Sequence, residues 1–479
     1  MLNRQTTSPD TLVVDLDGTL LRSDMLHESF WAAFSSNWRT PFRAIKALGA
    51  GRSALKRELA ARADIDSSTL PYDLKVIEYI ESWRRAGGRT ALVTASDQKI
   101  ADCIAKHLNI FDEVHGSNGK QNLKGANKAA FLEEHFGSGR YAYMGDATAD
   151  LPIWEHSSQA VTVNVSPSLR KVVDSIDTRV EHLQTSQTSF SSYLRAIRPH
   201  QWLKNILVFL PAFAAHDFSA SAILHSLGAF VAFSLIASSV YVTNDLLDLR
   251  ADRAHPRKRE RPFASGALPI SHGALMLVVL MGAGTGIATL LGWPFVFVMA
   301  VYFIITTAYS LSLKRRMIID ICTLAALYTM RITAGAVATG IPLSVWLLVF
   351  SSFFFFSLAA VKRQAELIDN AARGKLKAEG RGYQVEDLPV VSMMSVASGY
   401  VSILVMALYI NSPSVMVLYS EPLVLGAICG ILFYWISRIA MLTHRGQMHD
   451  DPVVFAARDR TSQICVILMV SFVIGGAVL

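Results

Sequence analysis

The chain has 479 residues, room for two or three domains, and 52% of them are hydrophobic. Its formal net charge of +7 is accounted for by basic loops beside a membrane, so the charge gives no case for a nucleic-acid partner. Cys103, Cys322, Cys429 and Cys465 are scattered without metal-ligand spacing and read as ordinary reduced thiols. Residues 1–195 have the composition of a soluble domain, whereas 203–479 are dominated by apolar runs of membrane-spanning length. Residues 1–10 are polar and lead straight into a strand, which predicts no secretory leader.

The first strand, 11–14, ends at Asp15-Leu16-Asp17-Gly18-Thr19-Leu20. A strand that delivers two carboxylates into a tight Gly-containing turn places them at the C-terminal edge of a sheet, where open α/β sheets bind ligands. A helix over 74–86 then leads to strand 90–93, which ends at Thr94-Ala95-Ser96-Asp97. Helix 98–108, Lys124 and helix 126–135 follow, and strand 141–144 ends at Gly145-Asp146-Ala147-Thr148-Ala149-Asp150. The alternation predicts a mainly parallel, doubly wound α/β sheet. Its strand ends supply a carboxylate nucleophile, an acid/base, a phosphate-oxygen donor, a cation and Mg²⁺ ligands, the parts for phosphoryl transfer through an aspartyl phosphate.

These motifs resemble those of the haloacid dehalogenase (HAD) superfamily of phosphatases, over roughly residues 9–180. The resemblance implies that Asp15 is the nucleophile and a Mg²⁺ ligand. Asp17 would protonate the leaving alcohol and then activate water, its carbonyl also touching the metal. Thr94 and Lys124 would hold the phosphate, with Lys128 the rival for the lysine role. Asp146 would complete the metal shell with support from Asp150. The acidic residue at 17 favours phosphatase over dehalogenase chemistry.

Between the first two motifs, Trp31, Phe34, Trp38 and Phe42 recur at near-helical spacing, followed by Arg43, Lys46, Arg52, Lys56 and Arg57. This predicts a small helical cap with the aromatic stripe as its core; the alternative is a face resting on the bilayer. Residues 166–190 are polar and Ser/Thr-rich near their end and read as a linker, with the soluble domain over 1–180, an entry segment over 181–200 and the membrane domain over 201–479.

Nine apolar runs lie near 203–215, 223–242, 274–291, 295–311, 318–339, 345–361, 390–410, 423–442 and 463–479. They predict an all-α domain of nine transmembrane helices. Lys and Arg crowd alternate loops: Arg250 to Arg261, Lys314 to Arg316, Lys362 to Arg381 (including Arg373, Lys375 and Lys377), and Arg438 to Arg460. The loops around Asp217, Trp293, Gly340 and Ser412 carry none. This alternation predicts that the basic loops and the soluble domain are cytoplasmic, on an inner membrane, with the C-terminus outside.

The second span ends in Asn244-Asp245-Leu246-Leu247-Asp248-Leu249-Arg250-Ala251-Asp252. On one helix, Asp245, Asp248 and Asp252 fall within a sector of about 60°. Such carboxylates are tolerable where they share a divalent cation or face water, and Mg²⁺ held this way is the usual anchor for a diphosphate. Tyr309-Ser310 and Lys314 cap the fourth span, Asp320 lies just inside the fifth and Arg331 deeper in it. An intramembrane Arg is expensive and usually functional, so Arg331 is expected to face a bound anion unless it pairs with another span.

This half is similar to the UbiA superfamily of intramembrane prenyltransferases, over about 195–479. Members that prenylate aromatic rings carry a second Asp-rich motif after the sixth span; here stands Lys362-Arg363-Gln364-Ala365-Glu366-Leu367. That departure resembles the polyprenyl-phosphate phosphoribosyltransferases, as do Arg331-x-x-Ala334-Gly335 and Asp450-Asp451-Pro452-Val453. The resemblance implies phosphoribosyl diphosphate as donor and a polyprenyl phosphate as acceptor. Mg²⁺ and the leaving diphosphate would sit on Asp245, Asp248 and Asp252, beside Asn244, with Tyr309, Lys314, Arg331, Lys362 and Arg363 about the remaining anions. A prenyl diphosphate-dependent transferase and a lipid-binding or transport protein remain as other readings. A homo-oligomer is compatible with all three.

Overall fold

The computed structural model describes residues 11–118, 122–185, 189–376, 381–448 and 451–478. Residues 1–10, Lys377, Asp450 and Leu479, which entered the sequence reading, lie outside them. The chain divides into two compact units. The first joins Met1–Ile197 to Tyr241–Leu277, and the second joins Arg198–Val240 to Val278–Leu479. The acidic motif of the second span therefore belongs to the unit of the α/β domain, a grouping that the linear domain boundaries did not anticipate.

The first unit is built on a six-stranded sheet ordered β3-β2-β1-β4-β5-β6. Its strands are β1 (Thr11–Val14), β2 (Arg89–Asp97), β3 (Glu113–Ser117), β4 (Tyr141–Gly145), β5 (Gln159–Val163) and β6 (Arg179–Leu183). Every pairing is parallel. Alternation along β1 sends Leu12 and Val14 into one core and Val13 into the other. Three cap helices, α1 (Met25–Ser36), α2 (Thr40–Gly49) and α3 (Arg52–Ala60), follow β1. Next come α4 (Leu74–Arg85), α5 (Gln98–Leu108), α6 (Ala126–Phe136), α7 (Leu151–Trp154), α8 (Pro167–Asp174) and α9 (Phe190–Ile197). Asp73 and Asp97 start α4 and α5 by accepting from the N–H groups of Lys75 and Lys99.

Two expectations are corrected here. The presumed linker holds α8 and β6, and β6 pairs with β5 from Gln159↔Arg179 to Val163↔Leu183. Its polar residues have structural duties: Ser166 accepts from the Leu169 N–H at the start of α8, and β6 is a half-buried edge strand. The cap's aromatic stripe is split. Trp31 is buried and packs on Phe30 and Phe34, whereas Trp38 and Phe42 are 60% and 68% exposed.

The second half of the chain is helical: α10 (Leu210–Ala214), α11 (Ala220–Leu247), α12 (Leu249–Ala254), α13 (Ile270–Leu290), α14 (Trp293–Leu311), α15 (Ile319–Thr339), α16 (Val345–Ala372), α17 (Leu388–Ile410), α18 (Pro413–Leu418), α19 (Gly426–His444), α20 (Pro452–Arg458) and α21 (Arg460–Val478). Among the described residues seven helices are long and apolar enough to cross a membrane: α11, α13, α14, α15, α16, and α17 and α19 with the 3₁₀ turns before them. The count of nine is not met by that measure. The first expected span is a 3₁₀ helix, Pro199–Phe209, running into the five-residue α10 at Leu210, and the last is represented by the shorter apolar stretch Arg460–Gly476 of α21.

In the second unit α15 lies against the 3₁₀ helix at Gly335, where a Cβ would stand 1.9 Å from the Val208 carbonyl oxygen. Backbone cannot rotate away as a side chain can, so Gly335→Ala should force the two helices apart. We expect a loss of about 1–3 kcal/mol, seen as a lower thermal midpoint in detergent. Gly282→Ala, with nothing within 4 Å of its Cβ, should be neutral or mildly stabilising. Equal shifts in the two variants would contradict this packing.

Candidate functional sites

The ends of β1, β2 and β4 meet at one cavity of about 620 Å³. Asp15 closes β1 by donating its N–H to the Met144 carbonyl of β4 (2.9 Å), and its Oδ1 accepts from Lys128 Nζ at 2.8 Å. Gly18 turns the chain with φ +77°, and any side chain there would strike the Asp146 carboxylate, 2.1 Å from an ideal Cβ. Asp17 accepts from the Met25 N–H (2.7 Å) and from Ser96 Oγ (2.9 Å). Asp150 accepts from Tyr143 Oη (3.0 Å), which itself accepts a hydrogen bond from Lys128 Nζ at 3.1 Å.

Asp15, Asp146 and Asp150 bring one oxygen each within 4.8 Å of one another. Three carboxylates against the single Lys128 ammonium leave an excess of negative charge, a donor set that fits a hard divalent cation. Burial, then the charges of Asp15 and Asp150, holds the Asp146 carboxyl well above the usual range. Burial and the charge of Asp15 also raise Asp150. Asp17 is pushed up to about 7, first by burial and then by the charges of Asp24 and Asp15, against the two hydrogen bonds it accepts. A carboxyl tuned there can give a proton and take one back near neutrality. Glu113, His115 and His135 likewise bring ligand atoms within 4.8 Å of one another, but Glu113 also pairs with Arg89 at 2.5 Å and the group lies at the surface beside edge strand β3.

Lysine 128 takes the place expected for Lys124. Lys128 is 2% exposed and touches Asp15, while Lys124 is exposed on the cavity wall. The four-residue step to the first turn of α6 turns the chain inward, a distinction that spacing alone does not make. Thr94 is wholly buried, and its hydroxyl oxygen accepts the Ser96 N–H. Ser96, two residues on and on the same face of the strand, lines the cavity and holds Asp17.

The acidic motif of the second span is not one uninterrupted helix. α11 ends at Leu247, and Asp248 stands between it and α12. Arg261, which read only as a topology signal, joins the outer two carboxylates, at 3.1 Å to Asp245 and 2.6 Å to Asp252. Next to Asp252, Arg253 forms a buried two-pronged pair with Glu28 of α1 (2.6 and 3.1 Å), and Glu28 accepts from Ser23 Oγ.

In the second unit, Asp451 gathers two lysines: Lys204 Nζ at 2.7 Å and Lys362 Nζ at 2.9 Å, with Tyr328 Oη at 3.0 Å on its other oxygen. Two ammoniums on one carboxylate leave net positive charge. Lys204 was missed, although a lysine inside the apolar run 203–215 was its signal. Arg363 is fully buried and paired with Asp320 at 2.8 Å and with Glu366. Asp320 also meets Tyr309 Oη (2.8 Å) and Arg381 (3.2 Å), the latter read from sequence as a loop charge. Arg331 donates to Asn205 Oδ1 (2.9 Å) and the Leu327 carbonyl under the rings of Phe233, Tyr302 and Tyr328. Arg331 and Arg363 thus have structural partners where anion contacts were expected. Lys314 is half-buried in a 3₁₀ turn, Leu313–Arg315.

A parallel-sheet domain with a phosphatase-type centre, followed by seven long apolar helices, defines a multi-pass membrane enzyme of two domains. The chain belongs to the UbiA prenyltransferase family, whose model matches residues 205–463, and the haloacid dehalogenase-like hydrolase model matches residues 41–155. Protein y4nM of Sinorhizobium fredii is 41% identical over 456 residues, 94% of this chain and 88% of that protein. Nodulation protein NoeC of Azorhizobium caulinodans is 37% identical over 281 residues, 58% of this chain and 91% of NoeC. Decaprenyl-phosphate phosphoribosyltransferase of Mycolicibacterium smegmatis is 41% identical over 183 residues, 37% of this chain and 57% of that enzyme.

Two outcomes are expected. Lys128→Met should lower phosphate release from a soluble monoester by about 10²–10³-fold, and Lys124→Met by less than about tenfold; comparable losses would contradict the placement. The second concerns pH. The folded-state pKa values of Asp17, Asp146 and Asp150 lie above their unfolded value of about 4. Their contribution to stability is therefore present below about pH 4 and is lost as pH rises, through about 7 for Asp17. In chelator the thermal midpoint of this domain should fall from about pH 5 to about pH 8, and Mg²⁺ should restore more at the higher pH. Equal Mg²⁺ effects at the two pH values would contradict it.

Proposed function

We propose that the chain transfers the 5-phosphoribosyl group from phosphoribosyl diphosphate to a polyprenyl phosphate at the cytoplasmic face of an inner membrane, and that its HAD-like domain then removes the 5-phosphate. The observation that carries this reading is the cationic cluster about Lys362 of α16. Where members acting on aromatic acceptors have a second carboxylate motif, this chain has Lys362, which shares Asp451 with Lys204. Their net positive charge suits a phosphate, not a second metal. The similarity to a decaprenyl-phosphate phosphoribosyltransferase supports it.

In the first reaction a lipid phosphate oxygen attacks C1 of the ribose, the C1–O bond to diphosphate breaks, and diphosphate leaves. The nucleophile is already an anion, so no strong base is needed. Asp245, Asp248 and Asp252 would hold Mg²⁺ under the diphosphate, beside Asn244. Arg261, between two of these carboxylates, would follow the departing anion as a two-pronged donor. In the second reaction Asp15 attacks phosphorus and the ester P–O bond breaks. Asp17 gives the leaving alcohol its proton and then takes one from the water that releases phosphate from Asp15. Lys128 orients Asp15. Asp15, Asp146 and the Asp17 carbonyl would hold Mg²⁺, with Asp150 in support; bound there, the ion neutralises the phosphate.

The runner-up is transfer from a prenyl diphosphate to an aromatic or other small acceptor, which the family description itself favours. Full-length protein supplied with each donor in turn, plus a polyprenyl phosphate, separates the two. Diphosphate release should require phosphoribosyl diphosphate. Asp245→Asn and Asp248→Asn should abolish it while leaving phosphate release from a soluble monoester intact. Release from prenyl diphosphate alone, or survival in both variants, would sink the assignment.

A further inference from the structure

We propose that α2 is a face seated on an anionic bilayer, and that the cavity beside it takes a phosphomonoester anchored in the same bilayer. This rests on the HAD-like domain being a phosphatase and names its substrate class.

Phe42, Ile45 and Leu48 follow one another at steps of three along α2, and Trp38, just ahead of the helix, stands four residues before Phe42; the four continue one amphipathic stripe. Such a stripe normally faces a core. Here its members are 60%, 68%, 70% and 50% exposed, while Thr40 and Ala44 face inward. Arg39, whose guanidinium lies 5.3 Å from the Trp38 ring, Arg43 and Lys46 accompany the stripe, and residues 37–57 contain no Asp or Glu. Exposed aromatic and aliphatic groups with only basic neighbours are complementary to anionic headgroups over an apolar interior.

The cavity provides an independent observation. Leu48 and Leu55 of the cap line it on one side, and Pro269, Ile270 and Ser271 line it on another. Ile270 opens α13, a helix long and apolar enough to cross a membrane. The residues at which the chain enters this apolar helix therefore form part of the cavity wall. That border is anchored. A Cβ at Gly266 (φ +72°) would meet Arg22 Cβ at 2.6 Å, and the buried Glu28–Arg253 pair ties the same segment to α1. A monoester could place its phosphate at Asp15 and run its chain past Leu48 toward Ile270 into the lipid.

The test uses the full chain in vesicles of phosphatidylcholine with a minority of phosphatidylglycerol. Two substrates are compared, p-nitrophenyl phosphate and a long-chain alkyl phosphate embedded in the vesicle. Phe42→Ser/Ile45→Ser should keep turnover of the soluble ester and lose at least about tenfold on the embedded one. Brominated lipids should quench wild type more than Trp38→Phe. Equal turnover of both substrates by wild type and variant, or no Trp38-dependent quenching, would overturn the proposal. So would a shift from dimer to monomer in the variant without a change in substrate preference, which would make the face a contact between copies. If Asp15→Asn released phosphate from either substrate as wild type does, the phosphatase reading itself would fail instead.

Discussion

An ionised carboxylate withdrawn from water is stable only where cations meet it, and this constraint arranges the polar interior of both units. The balance of charge in each cluster separates scaffold from site. Asp320 and Glu366 are matched by Arg363 and Arg381, and the Asp320–Arg363 pair is wholly buried. That cluster is neutral, and removing one partner should cost about 3–5 kcal/mol without touching chemistry. Asp15, Asp146 and Asp150 outnumber Lys128 and leave room for a divalent cation. Lys204 and Lys362 outnumber Asp451 and leave room for an anion. Asp245 and Asp252 are joined by Arg261.

The same constraint explains what could be read from sequence. The α/β alternation and the strand-end motifs were legible because strands, caps and turns are local: α5 occupies its expected bounds, and α4 and α6 differ by one residue. The choice between Lys124 and Lys128 was not, since both precede or open the same helix and only its packing buries one of them. Arg331 and Arg363 carried the right alarm, an expensive charge in an apolar setting. Beside the local Leu327 carbonyl and Glu366, their further partners, Asn205 and Asp320, lie 126 and 43 positions away in sequence, beyond any local pattern. The span count suffered for a related reason. Apolar composition does not distinguish an α-helix from the 3₁₀ helix of Pro199–Phe209.

Grouping of Tyr241–Leu277 with the α/β domain bears on why the two catalytic parts share a chain. From Asp17 a line of contacts runs through the Met25 N–H, α1 and Glu28 to Arg253, the neighbour of Asp252. A product formed on the acidic motif would thus arise close to the cavity that the proposal assigns to its dephosphorylation. Tethering raises the local concentration of one for the other without any new contact.

The most direct test of two reactions in sequence is mass spectrometry of the lipids made by wild type and by Asp15→Asn from phosphoribosyl diphosphate and a polyprenyl phosphate. Asparagine cannot form the aspartyl phosphate. Wild type should yield polyprenyl-phosphoryl-ribose, and the variant the same lipid one phosphate heavier. An identical phosphorylated lipid from both would mean that the HAD-like domain serves another substrate, and a lipid without ribose in either would contradict the account at its root.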